Sequence, residues 1–83
     1  MKRDYRNAYN ALAKMKVPVY EHADDNGNFS IDAEASSASE FVDYYSANPG
    51  WIFGVSPKVN SALQKRGLYA EWVNPGRLAV YGA

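Results

Sequence analysis

Two tight-turn signals constrain this chain more than anything else in it. Asn26-Gly27 separates the runs Val17–Ala23 and Phe29–Ala33, and Asn74-Pro75-Gly76 separates Leu68–Val73 from Arg77–Tyr81. Asn-Gly is the pair that a two-residue hairpin selects, because both central residues must take positive φ. The flanking runs are rich in β-branched and aromatic residues and alternate between apolar and polar, as half-buried strands do. Each hairpin also follows a helical pattern. Tyr5, Ala8, Tyr9, Leu12 and Met15 recur at three- and four-residue spacing and share one stripe. Asp4 is placed to cap that helix, and Val17-Pro18 ends it, because the residue before a proline is pushed out of helical space. Ser56-Pro57 opens another helix, with the proline at its first position, through Val59, Ala62 and Leu63. Gly67 closes it, and Lys65 and Arg66 suit its negative end. Ala11-Leu12-Ala13-Lys14 and Ala62-Leu63-Gln64-Lys65 echo one another ahead of the two hairpins.

Between these units, Ser37 with Glu40 has the form of a capping box. It predicts a further helix through Phe41, Val42, Tyr44 and Tyr45 to Ala47, ended by Asn48-Pro49-Gly50. The expected fold is therefore α+β, in the order α-β-β-α-α-β-β, as one domain. Residues 1–35 form a helix plus the first hairpin, 36–66 two helices and 67–83 the second hairpin. The two hairpins are expected to build a four-stranded antiparallel sheet covered on one face by helices. Hairpins on opposite sides of the helices would satisfy the same letters.

Strand alternation sorts the two faces. Val17, Val19, Phe29, Ile31, Leu68, Ala70, Trp72, Leu78 and Val80 share one parity and belong under the helices. Tyr20, His22, Ser30, Asp32, Tyr69, Glu71, Arg77 and Tyr81 share the other, which an antiparallel sheet can leave wet. Tyrosines on such a face are either cross-strand packing pairs or contact residues.

Composition removes several classes. A hydrophobic content of 47% excludes a mainly disordered chain, and the absence of cysteine excludes a disulfide or thiolate metal site. No apolar run approaches the roughly 20 residues that a membrane helix needs. The basic N-terminus leads into an amphipathic pattern and not the apolar stretch of a secretory signal, so a cytoplasmic protein is expected.

Charge is segregated along the chain. From Val17 to Pro57 there is no Lys or Arg, whereas Glu21, Asp24, Asp25, Asp32, Glu34, Glu40 and Asp43 all fall there. Lys2, Arg3, Arg6, Lys14 and Lys16 precede that stretch, and Lys58, Lys65, Arg66 and Arg77 follow it. A formal net charge of zero thus conceals a dipolar chain able to steer a charged partner.

Catalytic and metal-binding patterns are weak. Asp24 to Ala35 has oxygen side chains where an EF-hand calcium loop has them, but Phe29 stands at the glycine position and Ala35 at the bidentate glutamate position. A hairpin explains the same residues. His22 is the single histidine, and no glycine-rich phosphate loop is present. The chain is expected to be neither an enzyme nor a cofactor binder.

Gly54-Val55-Ser56-Pro57-Lys58-Val59, then Gly67-Leu68-Tyr69 and a hairpin tipped by Asn74-Pro75-Gly76-Arg77, resembles part of a winged helix-turn-helix. That resemblance implies DNA binding through Lys58, Ser61, Lys65, Arg66 and Arg77. The helix is short for that family, and the nearby carboxylates oppose phosphate. The package of a small cysteine-free chain with an acidic hairpin and stacked tyrosines, ending in Gly67-Leu68-Tyr69-Ala70-Glu71-Trp72-Val73-Asn74-Pro75-Gly76, resembles small phage-encoded accessory proteins, including the anti-CRISPR and anti-restriction inhibitors. It implies binding to a host protein or protein–nucleic-acid complex and transfers no residue roles.

The expected function is that of a non-catalytic protein-binding module, an inhibitor of a nucleic-acid-handling complex. Asp24, Asp25, Asp32, Glu34, Glu40 and Asp43 would supply electrostatic recognition, with Tyr20, Tyr69, Tyr81 and Trp51 as anchors. The alternatives are the winged-helix-like DNA binder and a homodimer through the tyrosine face.

Overall fold

A computed structural model describes residues 2–21 and 28–82. The elements are α1 (Arg3–Lys14), β1 (Val19–Glu21), β2 (Phe29–Asp32), a 3-10 turn (Ala38–Glu40), α2 (Pro57–Gln64), β3 (Leu68–Asn74) and β4 (Arg77–Gly82). The four strands make a single antiparallel sheet in the order β1-β2-β4-β3. The expected α+β architecture, with one sheet and helices over one face, is what the chain adopts. The Asn26-Gly27 turn lies outside the described residues, as do His22, Asp24 and Asp25. Among the described residues, no helix is long and apolar enough to cross a membrane.

The join between the hairpins is the pairing of β2 with β4, where Ile31 faces Leu78. Both are fully buried, and with Phe29 and Val80 they form the floor onto which Ala8 and Leu12 of α1 and Val59 and Leu63 of α2 pack. Tyr9 meets the Phe29 ring edge-on at 5.3 Å, a favoured aromatic geometry. The turn between the strands of the second hairpin is held by Asn74 Oδ1, which accepts from the Gly76 amide at 2.9 Å.

α1 ends by a route the sequence does not announce. Val17 N–H donates to the Leu12 carbonyl at 3.0 Å and Lys16 N–H to that of Ala13 at 3.0 Å, with Lys16 at φ 74. This is a Schellman closure with lysine at the position that usually holds glycine. It places Val17 in the core before Pro18 starts the next segment, so β1 begins at Val19 and not at Val17. Asp4 is not the cap: the N-cap is Lys2, without a side-chain bond, and Asp4 sits in the first turn, where its charge suits the helix dipole. Ser56 does cap α2, its Oγ accepting from the Val59 amide, and Arg66 donates to the Ala62 carbonyl at its far end.

The helix expected over 37–47 is the main correction. Only the 3-10 turn Ala38–Glu40 forms, and Ser37 makes no side-chain cap bond. Competing backbone and side-chain interactions explain this. Val42 bridges to Val55, Asp43 N–H donates to the Gly54 carbonyl and Ser56 N–H to that of Phe41, so 41–43 is drawn into extended pairing with 54–56. Asp43 Oδ1 accepts from the Tyr45 amide and Ser46 Oγ from the Asn48 amide, offering the backbone local alternatives to a helix. Val42 and the aromatic neighbours also have modest helix propensity. The 36–66 segment therefore holds one helix, not two.

The left-handed Lys16 generates a prediction. Lys16→Gly removes a Cβ penalty of about 1–2 kcal/mol, offset in part by the greater freedom of glycine in the unfolded chain. A net stabilisation of about 0.5–1 kcal/mol, and a rise of several degrees in Tm by circular dichroism, is expected.

Candidate functional site

The loop that replaces the expected helix builds the most unusual surface of the molecule. Ile52 and Val55 exchange both backbone hydrogen bonds, N–H of each to C=O of the other at 3.0 Å, around Phe53 and Gly54. Phe53 has φ 50 and Gly54 φ 76, the paired positive angles of a type I′ turn. Glycine suits the second position for two reasons, since a Cβ there would also strike the Asp43 carbonyl oxygen. Phenylalanine does not suit the first: a bulky side chain in the left-handed region costs of order 1–3 kcal/mol. Yet the Phe53 side chain repays nothing to the core, because the residue is 87% exposed.

The rest of the loop holds this turn in place. Trp72 of β3 donates its indole N–H to the Phe53 carbonyl at 2.6 Å, and Asn60 of α2 donates to that of Val55 at 3.2 Å. Tyr44 packs edge-on against Trp72 at 5.3 Å and against Tyr45 at 5.1 Å. The same loop also exposes Tyr45 (78%), Ile52 (55%) and Tyr44 (47%). Single exposed apolar residues are ordinary; here several aromatic ones are exposed on one anchored loop. A cleft of about 830 Å³ runs between this loop and β3, with Tyr44, Trp51, Phe53 and Trp72 on its walls and, among the described residues, Glu71 as its only charged lining residue.

The sequence-derived residues fall into separate places. Tyr20, Asp32, Glu34 and Arg77 come together in one depression near the tip of the second hairpin. Tyr69 and Tyr81 lie opposite each other on the face that carries Tyr20, with ring centroids 5.9 Å apart. The centre of that face is closed: Ser30 and Ala79, opposite one another, are buried, and Arg77 Nε donates to Ser30 Oγ at 3.2 Å. Glu40 lines another depression with Trp51 and Lys58. Asp32 and Asp43 each spend an oxygen on a turn amide, and Glu21 is paired with Arg6 at 3.1 Å. The described anions are thus distributed over several sites, and Trp51 alone among the expected anchors joins the aromatic cleft.

The residues of the DNA-binding alternative are also divided. Lys58, Ser61, Lys65 and Arg66 line one groove, together with Lys14 of α1, and no carboxylate among the described residues lines it. Arg77 is not among them.

Phe53, Tyr44 and Tyr45 were legible only in part. The run Trp51-Ile52-Phe53 is conspicuous on a connection, but the periodicity that assigns Tyr44 and Tyr45 to a helix conceals them. The usable signal is Phe53-Gly54 flanked by Ile52 and Val55, a hairpin pattern with an ill-suited first residue.

No protein-family model matches the chain, and no curated protein or solved structure is significantly similar to it. Its surface chemistry is therefore the basis for any functional assignment.

Two substitutions test the turn. Phe53→Asn creates the preferred Asn-Gly pair and is expected to stabilise the fold by about 0.5–1 kcal/mol in chemical denaturation. Gly54→Ala, with positive φ and no room for a Cβ, is expected to cost about 2 kcal/mol or more in the same measurement.

Proposed function

We propose that this chain is a non-catalytic protein-binding module whose contact surface is the aromatic loop 44–53 with the adjoining edge of β3. The observation that carries this reading is Phe53, nearly fully exposed, conformationally strained, and held rigid by hydrogen bonds from Trp72 and the Ile52–Val55 pair. A fold gains nothing of its own from displaying a strained aromatic ring. A partner gains a preorganised anchor whose ordering cost is already met in folding.

The surround of the anchor indicates the partner's chemistry. The chain bears no cation from Ala33 to Pro57, and Glu71 lines the cleft. The complementary surface is an apolar pocket ringed by basic side chains. Proteins that handle nucleic acid offer such surfaces, and a small module seated there acts as an inhibitor by occupying the site.

A second reading, direct binding of nucleic acid, is supported by the groove between α1 and α2, where Lys14, Lys58, Lys65 and Arg66 converge with no carboxylate among the described residues. The two readings separate cleanly. In affinity capture with mass spectrometry, the wild-type chain is expected to retain a protein partner that Phe53→Asn loses by about thirtyfold or more in affinity, as for a central aromatic anchor. Because Phe53→Asn is expected to be the more stable protein, that loss is not unfolding. Lys58→Glu with Lys65→Glu is expected to leave the partner bound. Duplex DNA binding that falls steeply with salt and disappears in the double lysine variant, with Phe53→Asn unaffected, would establish the second reading instead.

A further inference from the structure

Resting on the protein-binding reading of this surface, we infer that the cleft takes an extended, basic segment of the partner, added as a fifth strand along the outer edge of β3. Among the described residues, β3 is bonded to β4 on one side only. Among the described residues, no backbone hydrogen bond from another element reaches Leu68–Asn74. Alternate N–H and C=O groups of an edge strand point outward and are a template for pairing. Proteins usually blunt such an edge by shortness, lysine or proline. The opposite edge, β1, follows Pro18, whereas β3 has seven residues and neither lysine nor proline. Its irregularity between Trp72 and Asn74 is confined to the end nearest the turn.

The cleft lies along this edge. Ala70, Glu71 and Trp72, three consecutive residues with side chains on alternating faces, all line it, and the loop bearing Trp51 and Phe53 walls the far side. An incoming strand would present its own side chains alternately to the two faces. Those on the Glu71 face meet a carboxylate, and those on the other face meet Ala70 and Trp72. The recognised pattern is therefore a basic residue, a bulky apolar residue and a basic residue, joined to β3 by main-chain hydrogen bonds. A second copy of this chain fits less well. Antiparallel pairing of two β3 strands about their centres sets Glu71 against Glu71, and like charges directly opposite are unfavourable.

The test is a titration of the full ¹⁵N-labelled chain with a capped five-residue peptide carrying arginine at its second and fourth positions, leucine at its third and threonine at both ends. The controls are the same peptide with glutamate for arginine, and with alternate backbone amides methylated. Shifts concentrated in the amides of Leu68–Val73 and the Trp72 indole N–H are expected. Binding should weaken by about tenfold or more on N-methylation, the scale of one or two lost hydrogen bonds. Glu71→Lys should reverse the preference between the arginine and glutamate peptides. Shifts located elsewhere, no shifts at millimolar peptide, or indifference to N-methylation would overturn the strand-addition mode. Shifts of the β3 amides on dilution without peptide, with a concentration-dependent mass, would replace the peptide by a second copy. If Phe53→Asn still loses the captured partner while the peptide leaves β3 untouched, the aromatic surface stands and only strand addition fails. If Phe53→Asn keeps the partner, the protein-binding reading itself fails.

Discussion

The pairing of β2 with β4 is the constraint from which the rest of the molecule follows. It joins segments far apart in the chain, setting Ile31 against Leu78 and Ser30 against Ala79. A two-stranded hairpin is at best marginal in water, and this pairing turns two of them into a four-stranded sheet broad enough for two helices. It also decides which strands are left at the edges. With β2 and β4 in the middle of the described sheet, β1 and β3 are its outermost strands, and β3 borders the aromatic cleft.

That arrangement explains how the 41–56 segment is organised without regular secondary structure. Its backbone closes on itself through Val42–Val55 and Ile52–Val55, while Val42 and Val55 enter the shared core. Trp72, from the edge strand, supplies the cross-link that aims the turn. The strain at Phe53 is thus carried by contacts outside the turn, the condition under which unfavourable backbone angles persist. Strain at Lys16 has a different setting. There a left-handed residue serves chain reversal and core entry of Val17, and nothing about the lysine side chain exploits it. The same backbone angle is structural in one place and displays a side chain in the other.

Much of the architecture was legible because local rules and tertiary packing agree. Ser56-Pro57 starts α2 as its letters require, the alternation of Leu68–Val73 and Leu78–Val80 places the correct residues in the core, and Asn74-Pro75-Gly76 turns the second hairpin. Where the two levels conflict, packing prevails. Ser37 and Glu40 have the spacing of a capping box, yet pairing with 54–56 and the side-chain turns at Asp43 and Ser46 outweigh one or two turns of helix. The candidate site was less legible for the same reason: its aromatic residues lie on the segment whose local pattern is misleading. The grouping of anions fared similarly. Proximity in sequence put Asp32, Glu34, Glu40 and Asp43 together, and folding keeps Asp32 and Glu34 in one depression but sends Glu40 to another and Asp43 to a turn amide.

By itself the amino-acid sequence determined α1, α2, the strand segments and their alternation, and the absence of cysteine chemistry, because periodicity, turn residues and composition act over a few residues at a time. Only the tertiary structure decided that the hairpins share one sheet, that β3 is an open edge, and that Phe53 stands exposed on a strained turn beside it. Those features arise from contacts between residues distant in sequence, such as Asp32 with Arg77 and Trp72 with Phe53, whose energies no local pattern encodes.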